Sequence, residues 1–247
     1  MLSAEQIRQV DLSFYVFPED WDKGGTRSDV GLHEYVAKCG NPRKISLFAK
    51  RSLDIAGSSL ALIVGAPVFG AIAVAVKLSS KGPVLFQQQR VGQYGKRFTF
   101  LKFRSMYVAN DHAIHEEFVK TLIAGAEKPV YKLTNDPRIT PIGRFLRRTS
   151  LDELPQFLNV LRGEMSLVGP RPPIPYEVEV YDIWHRRRLL EVKPGITGLW
   201  QVMGRSRTKF DDMVRLDLQY ARSWSVWLDL KILWRTPRAV FMGDGAY

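Results

Sequence analysis

The stretch IAGSSLALIVGAPVFGAIAVAV, residues 55–76, decides the fold of this chain, because its 22 consecutive positions carry no charge. As a helix rising about 1.5 Å per residue, such a run just matches a hydrocarbon core of roughly 30 Å. Pro67 stands inside it, where the pyrrolidine ring and the missing N–H kink or break a helix. The arm before Pro67 holds 12 residues, about 18 Å of helix and too short to cross alone. Arg43, Lys44, Lys50 and Arg51 precede the run, and Lys77, Lys81 and Arg90 follow it. Basic residues favour the cytoplasmic side of a membrane, so both ends are drawn the same way. The pattern predicts a Pro-broken, re-entrant helix over residues 47–81 that enters the cytoplasmic leaflet and returns. Two other readings compete with it. One is a Gly- and Ala-rich hairpin buried in a soluble core, although so long an uncharged run is rare there. The other is a full crossing, since proline also occurs in spanning helices.

A second segment belongs with the first. In ARSWSVWLDLKILWRTPRAVFM, residues 221–242, Trp224, Trp227, Leu228 and Trp234 interleave with Arg222, Lys231, Arg235 and Arg238. Tryptophan and basic residues on one amphipathic helix suit the headgroup layer, and an ordinary surface helix with its Trp face inward is the alternative. Beside the apolar run, the interfacial reading is preferred.

Composition agrees with a folded protein that meets an anionic partner. Of 247 residues, 45% are apolar, and Lys plus Arg exceed Asp plus Glu by 36 to 25, a net charge of +11. Nucleic acid, acidic lipid and phosphorylated substrate all fit that excess. Cys39 is the only cysteine, so no internal disulfide forms and a reducing compartment fits. The N-terminus lacks a basic start followed by an apolar core, and no secretory signal is expected.

Residues 1–46 are polar with Gly-Gly and Asn-Pro punctuation, and read as an extension; residues 82–247 follow the apolar run as a catalytic domain. There VLFQQQRVG, the turn GQYG and KRFTFLKFRSM predict a β-hairpin. Residues 111–127 read as a polar helix, LTNDPRITPIGRF as a loop, DIWHRRRLLEV as a basic helix and KPGITGLWQVMGR as another loop. The fold class is mainly α with a small β-hairpin, in a monotopic membrane protein with interfacial amphipathic helices.

The chemistry concentrates in TSLDELPQFLNVLRGEMSLVGPRP, residues 149–172. Proline is tolerated in a helix only within the first turn, so Pro155 places the cap near Asp152. A capping box from Ser150 to Glu153 would put Pro155 where an intrahelical bond is due. Leu154, Phe157, Leu158 and Leu161 then form the buried face. Asp152 and Glu153 lie at a helix mouth, which also suits a phosphate. Carboxylates and phosphate repel there unless cations intervene, and Arg147, Arg148, Arg171 or a bound Mg²⁺ would serve. Prolines stiffen GPRPP, residues 169–173, around Arg171. This constellation suits phosphoryl transfer, with one carboxylate as nucleophile and the other binding metal or managing a proton. Capping acids beside solvated arginines are the plainer alternative.

The segments KRSLDIAGSSLALIVGAPVF, GPVLFQQQRVG, FLKFRSM, NDPRITPIGRFLRRTSLDELPQFLNVLRGEMSLVGPRP and PGITGLWQVMGR together resemble the monotopic phosphoglycosyl transferases, bacterial sugar transferases that start exopolysaccharide assembly. The likeness runs from about residue 47 to the end, roughly four-fifths of the chain, and is closest to the small enzymes priming with glucose or galactose. It implies a re-entrant helix at the cytoplasmic face of the bacterial inner membrane. It also implies transfer of a sugar-1-phosphate from a UDP-sugar to undecaprenyl phosphate, with release of UMP. By matching position, Asp152 is the expected nucleophile and Mg²⁺ contact, Glu153 its partner, and Arg147 and Arg171 the phosphate binders. Lys102 and Arg104 on FLKFRSM are expected in the phosphate site too, or else facing headgroups. Ala66-Pro67 departs from the family's frequent Ser-Pro break, so no hydroxyl is on hand for the carbonyl that the proline frees.

Weaker signals complete the set. Asp111, His112, His115 and Glu116 have metal-like spacing but read as a polar surface helix. HRRRLL, residues 185–190, reads as a solvated or lipid-facing stripe. Lys193, Thr197, Gln201 and Arg205 are assigned to the nucleotide on motif resemblance alone. The expected partners are UDP-sugar, undecaprenyl phosphate and the bilayer, with no nucleic acid and with a homodimer left open. An inert basic membrane scaffold and a nucleic-acid binder are the rival classes, and the apolar run counts against the latter.

Overall fold

The computed structural model describes residues 42–107, 138–203 and 209–241, and residues from Ser46 onward form one compact unit. The polar helix expected at 111–127, with its Asp111–Glu116 cluster, lies outside the described residues, as do the extension 1–41 and Arg205.

Helix α1 spans Pro42–Ser79 with Pro67 inside it. It begins before the expected residue 47, and the helical assignment carries through the proline. Pro67 thus lies within one helical segment and divides it into two arms. Proline removes its own N–H bond and presses its ring against the carbonyl four residues back, a local disturbance that the bonds of neighbouring turns flank. A polar stripe of Lys50, Asp54 and Ser58, four residues apart, is buried on one side of the first arm. Ile72 and Val76 are buried on the second arm. Between them Leu60, Ile63 and Val64 are 64%, 73% and 69% exposed.

Strands β1, Leu85–Val91, and β2, Arg97–Phe103, form the expected antiparallel hairpin, with Gln88 opposite Phe100. In its turn Tyr94 and Gly95 take left-handed φ values of 59° and 72°. β2 is covered on both faces. Phe98 and Phe100 enter the main core with Val160, Met165, Leu167, Val168, Tyr220 and Ile232. Phe103 enters a second core with Ile72, Val76 and Leu146.

Helix α2, Pro141–Thr149, occupies part of the segment read as a loop. The Thr140 side chain accepts from the Gly143 N–H and Pro141 follows it, which is a sound helix start. Gly143 is required, because a Cβ there would sit 2.0 Å from the Ser105 carbonyl oxygen. Ser150 closes α2 in the left-handed region, φ 57°, and makes no side-chain cap. The 3₁₀ turn Leu151–Glu153 follows, and helix α3 runs Gln156–Arg162 with Pro155 at its N-cap. The helix thus starts later than Asp152. Its fully buried side chains are Gln156, Asn159 and Val160, while the expected Leu154, Phe157, Leu158 and Leu161 are half-buried, Phe157 packing on the main core and Leu154 on the second.

The reversal has a polar cause: Asn159 faces the open edge of β2. Its side chain accepts from the Leu101 N–H at 3.1 Å and donates to the Thr99 carbonyl at 2.7 Å. Asn159 thereby stands in for a third strand and satisfies buried backbone groups that an apolar residue would orphan.

Strands β3, Ser166–Val168, and β4, Gly195–Thr197, pair in parallel. Between them lie α4, Pro175–Glu179, α5, Ile183–Arg186, and α6, Arg188–Glu191. Helices α7, Leu199–Met203, α8, Phe210–Ser223, and α9, Val226–Phe241, complete the order. The segments read as a basic helix and a loop are therefore two short helices and a strand-helix unit. The basic stripe of residues 185–190 is also corrected in part. His185, Arg188 and Leu189 are buried while Arg186 is exposed, because α5 and α6 are separate turns rather than one surface face.

Helix α9 turns Trp227, Leu230 and Trp234 outward, Trp234 at 86% exposure, while Asp229 and Ile232 are buried. Trp224 departs from the expected outer face and donates to Asp229 at 3.2 Å.

Candidate active site

The acid pair sits where three elements meet: the 3₁₀ turn carrying Asp152 and Glu153, the end of β2, and the last turn of α2. Lys102 joins them. Its Nζ is 2.8 Å from Glu153 Oε1 and 3.8 Å from Asp152 Oδ2, and lies 5.5 Å from the centre of the Phe100 ring. Asp152 is 6% exposed, whereas the Glu153 side chain retains 34%. A nearly buried carboxylate is costly unless paired, and the lysine on β2 supplies the opposite charge. Gln156, one helical turn beyond Asp152, is also buried, and its Nε2 has no hydrogen-bond partner among the described residues.

Arg147 lies half-exposed in the last turn of α2, beside Arg148. Arg171 is half-buried in the loop after β3. Arg104, in contrast, turns toward the end of α1. It is 5% exposed and donates to the Ser80 carbonyl at 2.7 Å, Ser80 Oγ at 3.0 Å and the Val76 carbonyl at 3.3 Å. The C-terminal carbonyls of α1 lack intrahelical donors, and Nη2 alone serves them, while the buried Nε and Nη1 have no hydrogen-bond partner among the described residues. Strand period would put Lys102 and Arg104 on one face, and the Arg104 N–H still continues the ladder to the Val84 carbonyl at 2.9 Å, yet its side chain reaches α1.

The nucleotide assignments fare differently. Thr197 is buried and its hydroxyl is 2.9 Å from that of Thr236. Gln201 donates to the Ile196 carbonyl at 3.2 Å. Lys193 Nζ and Arg51 Nη2 both lie beside Gly163, the C-cap of α3, whereas the acids precede the N-terminus of that helix. Burial, then the neighbouring Arg51 charge, holds the Lys193 ammonium below its usual value.

Residues outside the sequence-based set prove important for position. Arg90 is buried and donates to the Pro172 carbonyl at 2.8 Å. Burial, and next the charge of Arg171, lowers it to about 10. Lys50 donates to Asp229 at 2.7 Å and to the Val168 carbonyl at 3.0 Å. Asp54 accepts from Ser166 Oγ and the Leu167 N–H, both at 2.9 Å. The signal for this pair was present as a four-residue polar spacing at the head of an apolar helix.

The model of the family described as bacterial sugar transferase matches residues 45–243. The galactosyl transferase CpsE of Streptococcus agalactiae is 48% identical over 204 residues, covering 81% of this chain and 44% of that protein. The undecaprenyl-phosphate galactose phosphotransferase of Salmonella typhimurium is 45% identical over 209 residues, covering 83% of this chain and 43% of that protein. The chain thus spans less than half the length of those two relatives. The exopolysaccharide production protein ExoY of Rhizobium meliloti is 41% identical over 229 residues, covering 91% of this chain and all of that protein. With a family match over four-fifths of its length and a full-length relative above 40% identity, this chain belongs to the bacterial sugar transferase family.

Proposed function

We propose that this protein transfers a hexose-1-phosphate, glucose or galactose, from a UDP-sugar to undecaprenyl phosphate, as the first step of exopolysaccharide assembly. The observation that carries the reading is the acid pair bridged by Lys102: a nearly buried Asp152 beside an ammonium. A nearly buried carboxylate beside an ammonium, next to the arginine-bearing end of α2, suits a nucleophile that must meet a diphosphate.

In the first step an Asp152 oxygen attacks the phosphorus that bears the sugar. A P–O bond forms to the carboxylate, and the P–O bond to the bridging oxygen breaks. That oxygen leaves with the electron pair as part of UMP. In the second step a phosphate oxygen of the lipid attacks the same phosphorus and expels the Asp152 carboxylate, giving undecaprenyl-diphosphate-sugar. Lys102, Arg147 and Arg171 neutralise charge as it spreads over the phosphoryl oxygens. Glu153, held by Lys102, keeps that ammonium beside Asp152.

The donor set also fits Mg²⁺. This ion uses one or two carboxylates together with substrate phosphate oxygens, and no cluster of three or more His, Cys, Asp or Glu among the described residues offers a full protein cage. Asp152 would hold it, with Glu153 adjacent, and bound Mg²⁺ supplies charge neutralisation on the diphosphate.

The chain works at the cytoplasmic face of the bacterial inner membrane, with α1 re-entrant. Support comes from the two arms of α1, both packed on the one unit from Ser46 onward, around an exposed apolar middle. A crossing helix would carry its far arm away from that unit. The outward Trp227 and Trp234 of α9, with Lys231 and Arg235, suit the headgroup layer. Residues 1–46, 47–81 and 82–247 serve as extension, membrane element and catalytic domain.

The test is UMP release from UDP-glucose and UDP-galactose with undecaprenyl phosphate and Mg²⁺ in nanodiscs. Asp152→Asn is expected to abolish it, and an equally fast variant would refute the assignment. Exchange of labelled UMP into UDP-sugar without lipid acceptor distinguishes the two-step route, and no exchange would favour direct attack by the lipid.

A further inference from the structure

The loop after β3, Pro170–Pro173, is held at every one of its carbonyls. Pro170 accepts from the Gly195 N–H at 2.8 Å and Pro173 from the Val91 N–H at 2.9 Å. The two carbonyls between them are held by side chains: Arg171 accepts from Arg188 Nη2 at 2.9 Å, and Pro172 from Arg90 Nη1 at 2.8 Å. Both guanidiniums are buried. Arg90 also donates to Gln88 at 3.0 Å and stacks 5.1 Å from the Phe100 ring centre. Arg188 is paired to Asp217 at 2.8 Å, each side chain 1% exposed.

This arrangement is expensive for a mere surface connector. Burying two guanidiniums costs several kcal/mol each before their partners are counted, and three prolines already restrict the loop through φ. The structure nevertheless adds a donor to each successive carbonyl. The residue at the centre of that fixed frame is Arg171, the side chain read above as a substrate-phosphate ligand.

We propose that Arg90 and Arg188 are positioning residues, a pair of buried clamps that hold the carbonyls of Pro172 and Arg171 so that the Arg171 guanidinium is preorganised for the substrate phosphate. The proposal rests on that reading of Arg171. Neither clamp touches substrate; both act through the loop. Preorganisation matters because a phosphate ligand that must first order its loop loses part of its transition-state stabilisation, and a misplacement of about 1 Å can cost on the order of 100-fold in rate. Lysine keeps the charge of each clamp but offers one compact ammonium instead of a planar fork, and so frees the carbonyl or its second partner.

The experiment is a double-mutant cycle on the full chain in nanodiscs, reading UMP release with saturating lipid acceptor. Arg90→Lys and Arg188→Lys are each expected to lower kcat by roughly 10- to 100-fold, with KM for the UDP-sugar moving much less. Arg171→Ala is expected to lower kcat by a similar or larger factor. In the double variants with Arg171→Ala, the clamp substitutions should add nothing beyond about twofold. Effects that multiply in full would mean that Arg90 and Arg188 act elsewhere, and would overturn the proposal. So would lysine variants with wild-type kcat. An Arg171→Ala enzyme as fast as wild type would instead remove the reading of Arg171, and the clamps would then position nothing. Should the lysine variants unfold, Pro172→Ala loosens the same loop without disturbing either guanidinium. It is then expected to lower kcat and to be non-additive with Arg171→Ala, and additivity there overturns the proposal.

Discussion

Asn159→Leu should destabilise the protein strongly although it makes a buried position more apolar. Asn159 is 0% exposed and bridges the Leu101 N–H and the Thr99 carbonyl on the free edge of β2. Leucine fills a similar volume, so little cavity is created, but both backbone groups lose their partners. At about 1–3 kcal/mol for each buried orphan, the loss is ~2–6 kcal/mol. For a domain of this size 1 kcal/mol shifts Tm by roughly 2–4 °C, so a fall of about 5–20 °C is expected in nanodiscs. Asn159→Asp is the informative companion. It keeps the acceptor for Leu101, loses the donor to Thr99, and sets a second carboxylate where Asn159 now donates to Glu164 at 2.6 Å. Its Tm should also fall. UMP release should fall in both variants, since β2 brings Lys102 to the acids one residue beyond Leu101. An Asn159→Leu protein melting within about 2 °C of wild type would refute the claim that this amide serves as a missing strand.

Three further outcomes follow from buried charge and exposed tryptophan. Lys50→Met leaves Asp229 buried without its cation, at a cost of about 3–5 kcal/mol, so Tm should drop by roughly 10 °C; an unchanged Tm would show that the pair does not anchor α1. Burial pushes the Asp217 carboxyl from 3.8 up to about 6, against the opposing charge of Arg188. A folded-state value above the unfolded one means that the folded protein takes up the proton first, so this group's contribution to stability grows as pH falls from about 6 toward about 4. Wild type should therefore gain Tm relative to Asp217→Asn between pH 7 and pH 5, at no more than about 1.4 kcal/mol per pH unit; a constant difference would refute the shift. Trp227→Gln with Trp234→Gln should lower the fraction of tryptophan emission quenched by brominated lipids in nanodiscs, without lowering Tm; an unchanged fraction would remove α9 from the interface.

What was legible in the sequence depended on local signals. The hairpin announced itself by alternation about a Gly turn, and the apolar run by its missing charges. Pro155 counted against a capping box at Ser150, where the structure has no side-chain cap, but it could not say that a 3₁₀ turn intervenes before the helix. Residues 166–168 and 195–197 are too short to show any period, and their pairing is imposed by close approach instead: a Cβ on Gly195 would lie 2.0 Å from the Gly169 nitrogen. The buried face of α3 was misread because leucine is ordinarily the inward residue, whereas here an open strand edge required an amide. Lys102 and Arg104 were read together for the phosphate site, being equivalent by strand period, whereas in the structure Lys102 meets the acids and Arg104 meets α1.

That separation ties the acid pair to α1. Lys102 reaches Glu153 and Asp152, Phe103 packs edge-on to Phe69 of α1 at 5.7 Å, and Arg104 holds the carbonyls at the end of α1. Three consecutive residues at the end of β2 and just beyond it thus connect the acid pair to the second arm of α1, while Lys50 and Asp54 fix the first arm to β3 and α9. The first arm leads through β3 directly into the loop bearing Arg171. A shift in how deeply α1 sits would therefore move both the lysine side and the arginine side of the site. The short path of rigid contacts, rather than any flexible tether, is what would keep Asp152 at the height of a lipid phosphate.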